Sequence, residues 1–418
     1  MDLPFESFPY SQCVWAHVIR QLRQDPDSDI VFTNQVSRHV IDMTDFDYTK
    51  VTYLIIGTGV SELHAIGDHT GYLQKTIDNF KKFLPNLQNI YIFHTTVYFD
   101  TDLLVSDCNI TSINFPYFLL RSTLTDLSQF NQWDVGDKKA ICLVGDIRNR
   151  PHKFPLLYKF HQCGQLDKLN YSLMNNHYDP DYFTYNHVGS VVRNLNDCFD
   201  NNLDIESFEM LYNKLKRTLP NDENFKNRIY HGLSTYTHIY PEQWNEASCN
   251  IVLETTFLDI ANLLCERVPK NYTQKGFFSE KIWKPILSGK PFTTISFNDV
   301  LYDDLEQMGF RTFLNYTNHP EKLQLPNNLL DSSKVLKKHI EVCYDRTMSF
   351  LDSVETQRDS ILEDVKFNMN RWRELSQQAW DNVYQQCPPA MSMTKDEFCE
   401  LFNHPVNVGL LSQWFNKG

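Results

Sequence analysis

Short apolar runs alternate with amphipathic stretches along this chain, and this alternation constrains its fold more than any other feature. VTYLIIGTG at 51–59 predicts a buried strand that runs into a glycine turn, GYLQKTIDNFKKFL a helix, and NIYIFHTTVYF a second strand. The pattern restarts near Lys138, where KKAICLVGD predicts a strand and PHKFPLLYKFHQCG a helix that ends at Gly164. Strands separated by helices predict an α/β fold with parallel sheets.

The length and the restart together predict two domains followed by a helical region. A chain of 418 residues is long enough for two domains that each bury a core. We place the domains at 1–135 and 136–330, and we expect the residues 331–418 to form helices that pack against both, because the pattern from Ser332 to Gln386 is helical almost throughout.

Shorter segments add further elements to this prediction. They are a helix over 10–24, a strand at DIVFTN, a helix from Ile205 to Leu215, a strand at 249–254 and a capping box formed by Thr394 and Glu397. The region 190–245 is otherwise polar and mixed, without a repeat or a low-complexity segment.

Composition narrows the class of protein. The start of the chain has no basic region followed by an apolar one, and no run approaches the roughly 18 apolar residues of a spanning helix, so we expect a cytoplasmic protein without a membrane span. Ten cysteines without a CxxC pair indicate neither a zinc site nor a disulfide framework. A net charge of −13 argues against a surface that holds long nucleic acid by phosphate neutralisation alone.

The stretch GFFSEKIWKPILSGKPF, residues 276–292, is the strongest candidate for a binding site. Ser279 is a good N-cap, Glu280 and Lys281 follow in the first helical turn, and the helix stops at Gly289 before the strand PFTTIS. A helix that begins after a strand and a loop lies where open α/β sheets bind ligands, and its amides favour an anion such as a diphosphate. Lys281 adds a full positive charge.

Glu280 permits two interpretations. A carboxylate beside a phosphate is repulsive unless it faces hydroxyl groups, so Glu280 is suited to accept hydrogen bonds from a bare ribose. Alternatively, Glu280 is only a favourable acid in the first turn and Lys281 is solvated. Five lysines between 270 and 290, Lys284 among them, are opposed by this single carboxylate, and they form either a solvated face or a basic edge.

These residues carry a resemblance to known families. FFSEKIWKPILSGKPF, preceded by IVLETTF and followed by LEQMGFRTF, resembles glycosyltransferases of phages and giant viruses, as does the segment 145–172, GDIRNRPHKFPLLYKFHQCGQLDKLNYS. The Glu-Lys helix is in turn similar to the nucleotide-binding motif of the fucosyltransferase family. That family is inverting and has the GT-B fold, in which two Rossmann-like domains face a cleft. The resemblance covers residues 140 to about 315.

The resemblance implies roles for individual residues. Glu280 would bind the ribose hydroxyls, Lys281 the diphosphate, and Arg148 or Arg150 the charge of the leaving group, with Ser279 and Lys284 beside them and Glu254 at the acidic position of the fucosyltransferase motif. It also implies a nucleoside-diphosphate sugar as donor, no cofactor and no metal. The chain departs from the family where LETTF replaces Glu-Asn-Ser and where 258–276 forms a longer insertion, so the donor sugar stays open.

Inverting transfer also needs a general base, which in GT-B enzymes comes from the N-terminal half. The turn after YLIIG offers Glu62, His64, Asp68 and His69, of which we select Glu62 and His69 as candidates. The acceptor would be a glycan, a small molecule or a hydroxymethylated base of phage DNA. If the acceptor is phage DNA, the protein acts in host cytoplasm and the lysine-rich edge holds phosphates.

Two other functions are compatible with the sequence. Asp100 and Asp102 form a DxD pattern directly after a strand, which in GT-A enzymes holds Mg²⁺ or Mn²⁺ on the diphosphate. A non-catalytic nucleotide- or carbohydrate-binding protein could keep the same fold without turnover. Slow hydrolysis of a nucleotide sugar without acceptor would separate this last possibility from an enzyme.

Overall fold

A computed structural model gives the fold of this protein. It describes residues 30–34, 48–57, 68–94, 104–114, 119, 122, 132–145, 147, 152–173, 185–216, 241–254, 278, 280–324 and 332–386. The described residues belong to two compact units: those up to Ser122 and from Leu375 onward form the first, and those from Gln132 to Glu374 form the second.

The first unit contains a parallel four-stranded sheet. Its strands are β1 (Ile30–Asn34), β2 (Tyr53–Gly57), β3 (Asn89–His94) and β4 (Asn109–Asn114), in the spatial order β1-β2-β3-β4, and α1 (Asp68–Phe83) connects β2 to β3. Alternate strand residues, such as Leu54 and Ile56, are buried with Ile77 of α1, as expected for a sheet covered by its crossover helix. This order follows the chain without a reversal.

The second unit contains another parallel sheet, and its order reverses. The strands are β5 (Ala140–Gly145), β6 (Leu169–Leu173), β7 (Cys249–Val252) and β8 (Phe292–Thr294), arranged as β6-β5-β7-β8. Every residue of β6, β7 and β8 is buried, so both faces of the sheet are covered, which is typical of parallel sheets. This holds even for polar side chains such as Asn170 and Thr293.

Eight helices are described in this part of the chain. They are α2 (Lys153–Gln162), α3 (Tyr185–Phe199), α4 (Ile205–Leu215), α5 (Pro241–Glu246), α6 (Glu280–Leu287), α7 (Val300–Gln307), α8 (Ser332–Ser353) and α9 (Arg358–Gln386). Gly164, with a φ of +67°, follows the end of α2, and the Asp204 side chain caps α4 by accepting from the Ser207 amide at 2.7 Å.

The long helix α8 packs on α2, α3 and β8 of the second unit. A hydroxyl pair, Thr293 with Thr347 at 2.9 Å, joins β8 to α8 inside the core. The Asn368 side chain of α9 bonds to both the amide and the carbonyl of Arg311, each at 2.8 Å, so the first part of α9 is held by the chain that follows α7.

The structure confirms the α/β class with parallel sheets and refines the individual elements. Both ends predicted for α4 are confirmed, the strand predicted over 249–254 ends at Val252, and the helical region 332–386 is two helices interrupted at 354–357. The strands β4 and β6 and the helices α3, α5 and α7 were not predicted from the sequence. The helix predicted over 10–24 and the capping box lie outside the described residues. The arrangement of two Rossmann-like domains around a cleft stays a prediction.

Candidate functional site

The reversal of strand order in the second sheet creates a position suited to ligand binding. From the central strand β5 the chain goes to β6 on one side and later crosses to β7 on the other side. In open parallel sheets the loops that leave such neighbouring strands run in opposite directions, so a crevice opens at the carboxyl ends of the strands. Here those ends are Gly145 of β5 and Val252 of β7. Among the described strands, only this sheet has such a switch point.

A buried hydrogen bond joins the segments that leave these two strands. His152, directly before α2, is completely buried, and its Nε2 lies 2.9 Å from the backbone oxygen of Glu254, two residues beyond the end of β7. A carbonyl oxygen can only accept, so Nε2 carries the hydrogen and donates it. The Glu254 residue is itself only 2% exposed. The bond therefore ties the two strand-end segments together at the switch point.

Lys153 adds a buried ammonium group next to this bond. It is the first residue of α2, is only 3% exposed, and its Nζ donates to the Val144 carbonyl of β5 at 3.1 Å. A cation in the first turn opposes the helix dipole, and burying it has a desolvation cost. The hydrogen bond to the Val144 carbonyl offsets part of this cost and holds the ammonium group at the carboxyl end of β5.

Helix α6 brings the predicted Glu-Lys motif to the same edge of the sheet. It connects β7 to the parallel β8, so its N-terminus lies at the carboxyl ends of these strands. Glu280 is the first residue of α6, Lys281 follows in the first turn and is half-buried, and Lys284, one turn later, is buried. The motif and the switch point thus share one edge.

The apolar side of α6 explains why the helix is held firmly. Trp283 packs between the rings of Phe278 and Phe310, with centroid distances of 5.8 and 5.9 Å, and Ile282 and Ile286 are buried. Phe278 and Trp283, two bulky residues of the stretch 276–292, therefore contribute to the packing that anchors the helix.

The lysines of this stretch do not form one face. Lys290 lies before β8, and its Nζ donates to the carbonyl of Ala247, which precedes β7, at 2.6 Å. This places Lys290 at the amino ends of the strands, the edge opposite to Lys281. Burial lowers the pKa of Lys290 to about 8. The expectation that a single lysine-rich edge holds phosphates is therefore wrong for Lys290.

A strained turn follows β8 at the carboxyl edge. Asn298 and Asp299 both have left-handed backbone conformations, with φ of 48° and 55°, which non-glycine residues rarely adopt. The Asn298 amide donates to His339 Nε2 at 2.8 Å, and the Asp299 carboxylate accepts from Arg346 at 2.7 Å. Such strain persists only where surrounding contacts hold it, and it is concentrated at functional sites.

The structure describes some of the predicted site residues and not others. Glu254, Glu280, Lys281 and Lys284 come to the carboxyl edge of the second sheet or to the helix that begins there, although the side chain of Glu280 is not described. His69 is the second residue of α1, not part of the turn before it, and its side chain is likewise not described. The following residues lie outside the described part of the chain: Glu62, Arg148, Arg150, Ser279, Asp100 and Asp102.

His152 and Lys153 were not identified from the sequence. The only local signal was a histidine and a lysine directly before the apolar run of a helix that follows a strand, which is also the pattern of an ordinary helix start. In the described ranges, no group of three or more His, Cys, Asp and Glu residues could hold a metal ion, and no helix has the length and apolarity to cross a membrane.

Comparisons with family models, with curated proteins and with solved structures found no match to this chain. The similarity to viral glycosyltransferases and to the fucosyltransferase motif therefore stays an inference from the residues quoted above.

Proposed function

We propose that the protein is a glycosyltransferase that moves a sugar from a nucleoside-diphosphate sugar to a hydroxyl acceptor, with inversion and without a metal ion. The observation that carries this proposal is the position of α6, whose first turn holds Glu280 and Lys281 at the carboxyl edge of the sheet that contains the switch point. A diphosphate is the ligand that a helix N-terminus and a lysine at such an edge favour.

The donor is held by charge and by hydroxyl recognition in this proposal. Lys281 and either Arg148 or Arg150 neutralise the diphosphate, with Ser279 at the helix start and Lys284 one turn behind. Glu280 accepts hydrogen bonds from the ribose hydroxyls. Glu254 is only 2% exposed, so we assign it a supporting role beneath the binding surface rather than a contact with the sugar.

The reaction follows from these groups. The acceptor oxygen forms a bond to the anomeric carbon while the bond from that carbon to the diphosphate oxygen breaks. The acceptor proton passes to a general base, for which Glu62 and His69 are the candidates, and the nucleoside diphosphate leaves with a growing negative charge. Lys281 and the amides of the first turn of α6 stabilise this charge. A glycan, a small molecule and a hydroxymethylated DNA base are the acceptor classes that remain.

Calorimetric titration tests the donor site. The protein is titrated with UDP, GDP, ADP and dTDP and their common sugar conjugates, with and without EDTA. We expect one nucleotide to bind in both conditions. Replacing Lys281 with alanine removes a charge-assisted contact worth about 1.5–3 kcal/mol, so the affinity should fall by a factor of roughly 10–150. The matched control is Lys366→Ala, which removes an exposed lysine of α9.

Each other result has a definite meaning. Unchanged affinity in both Lys281→Ala and Glu280→Ala, with unchanged melting temperatures, would refute the site. Binding that EDTA abolishes would favour a metal-dependent enzyme that uses Asp100 and Asp102. Tight binding without any hydrolysis of the donor, even over long incubation, would indicate a binding protein that does not turn over.

A further inference from the structure

We infer that His152 is a positioning residue, which sets the distance between the segments after β5 and after β7 and thereby shapes the anion site at the switch point. The inference rests on the proposed function for the anion site and for the identity of the anion as the diphosphate of a sugar donor. It adds a residue that the motifs do not contain.

The first argument is that the His152 ring forms a hydrogen bond with a distant residue and does not cap the helix that His152 precedes. His152 occupies the N-cap of α2, but its side chain makes no capping bond there, and its backbone carbonyl accepts from the Leu156 amide. The ring instead reaches a residue 102 positions away in the chain. A helix cap alone would not require a completely buried imidazole at this position.

The second argument is the identity of the acceptor. His152 Nε2 donates to the backbone oxygen of Glu254, so the bond positions the main chain that leaves β7. A side-chain contact could be lost by rotation of that side chain, whereas this bond fixes the path of the chain itself. Because the carbonyl is buried with the ring, water cannot easily replace the donor.

The third argument is the location of the bond. It joins the two neighbouring strands between which the order reverses, and Lys153 brings a buried ammonium to the Val144 carbonyl on the same side. A ligand site at the ends of two neighbouring strands keeps its shape only if the separation of the strand-end residues is maintained. A misplacement of about 1 Å can cost roughly 100-fold in function at such a site. The hydrogen bond from His152 to the Glu254 oxygen is a described contact that can maintain this separation.

The experiment compares three replacements that differ in where they place a donor. The amide nitrogen of glutamine lies near the position of histidine Nε2, the amide of asparagine lies nearer to Nδ1, and leucine has no donor. Each variant is titrated with inorganic pyrophosphate and with the nucleoside diphosphate that the wild-type protein binds, and its melting temperature is measured in the absence of ligand.

We expect His152→Gln to retain the affinity for pyrophosphate within about 3-fold, and His152→Asn and His152→Leu to lose about 10-fold or more. In turnover assays the last two should raise KM for the donor more than they lower kcat, because His152 does not touch the reacting atoms. If all three variants bind pyrophosphate like the wild-type protein, or if their affinities follow only their melting temperatures, the inference is wrong.

The same titrations separate this inference from the proposed function. Pyrophosphate binding that depends on the donor at position 152, in a protein that transfers no sugar, would retain the positioning role and refute the glycosyltransferase. Nucleotide-sugar turnover that is insensitive to all three replacements would support the glycosyltransferase and refute the positioning role. A wild-type protein that binds neither pyrophosphate nor any nucleotide would refute both.

Discussion

The ion pair between Arg346 and Asp299 should control the stability of the turn after β8. The two side chains are only 1% and 3% exposed. Arg346 also donates to the carbonyls of His319 and Glu321, at 3.1 and 2.8 Å, and its guanidinium lies 5.4 Å from the ring centroid of Tyr302. The contacts of Arg346 thus join α8 to the turn and to the segment that follows α7.

The expected loss follows from what each replacement leaves behind. Arg346→Met removes the cation and leaves the Asp299 carboxylate buried, with the amide of Leu323 at 2.6 Å as one remaining donor. Removing one partner of a buried pair costs about 3–5 kcal/mol. Asp299→Asn keeps the shape and tolerates the left-handed backbone, so in the double variant the buried charges disappear together. The double variant should therefore lose at least about 1 kcal/mol less than the sum of the single variants.

Hydrogen exchange is the suitable assay, because a chain with two units need not unfold in a single step. The exchange of peptides that cover 292–307 is followed by mass spectrometry at neutral pH. A loss of 3–5 kcal/mol corresponds to roughly 10² to 10³-fold or more in the opening equilibrium of this region. The matched control is Arg373→Met, an exposed arginine of α9, which should change exchange by less than about 3-fold.

Two results would refute this reasoning. The first is an Arg346→Met protein whose exchange over 292–307 stays within about 3-fold of wild type, which would mean that the pair contributes no net stabilisation. The second is a double variant that is less stable than the sum of the two single losses, because two groups that stabilise each other must show the opposite coupling.

Two further predictions concern pH and backbone space. Burial lowers the pKa of His339 below about 6.5, its value in the unfolded chain, and the neutral Nε2 accepts from the Asn298 amide. The contribution of His339 to the free energy of unfolding is therefore fully present above pH 6.5, and it falls below that pH by at most about 1.4 kcal/mol per pH unit. Exchange of 292–307 against pH checks this, and a His339→Leu protein with the same pH dependence would contradict it. A Cβ at Gly136, where φ is +63°, would lie 2.1 Å from the Glu246 oxygen, so Gly136→Ala should cost about 2–4 kcal/mol. At Gly164, where φ is +67° and nothing lies within 4 Å, alanine should cost only about 1 kcal/mol, and equal melting temperatures of the two variants would show that the close contact is unimportant.

The sequence alone determined the local elements and the motif. Helix α4 has the bounds predicted from the sequence, Ile205 to Leu215, because the interactions that form a short helix, such as the Asp204 cap, act within one or two turns. The helix that carries Glu280 and Lys281, and the strands before and after it in the chain, were likewise predicted from hydrophobic periodicity and from glycine positions. Polar strands give no such signal: β6 contains Asn170 and Ser172, yet it is buried on both faces, because its neighbours decide its burial.

Only the tertiary structure decided which distant residues come together. The order β6-β5-β7-β8, and with it the switch point, depends on pairing between segments up to about a hundred residues apart, which leaves no local pattern. The same is true of the His152 bond to Glu254 and of Lys290, whose burial at the opposite edge no charge count could indicate. Periodicity records which face of an element is apolar, whereas the partner of that face is chosen by the packing of the whole chain.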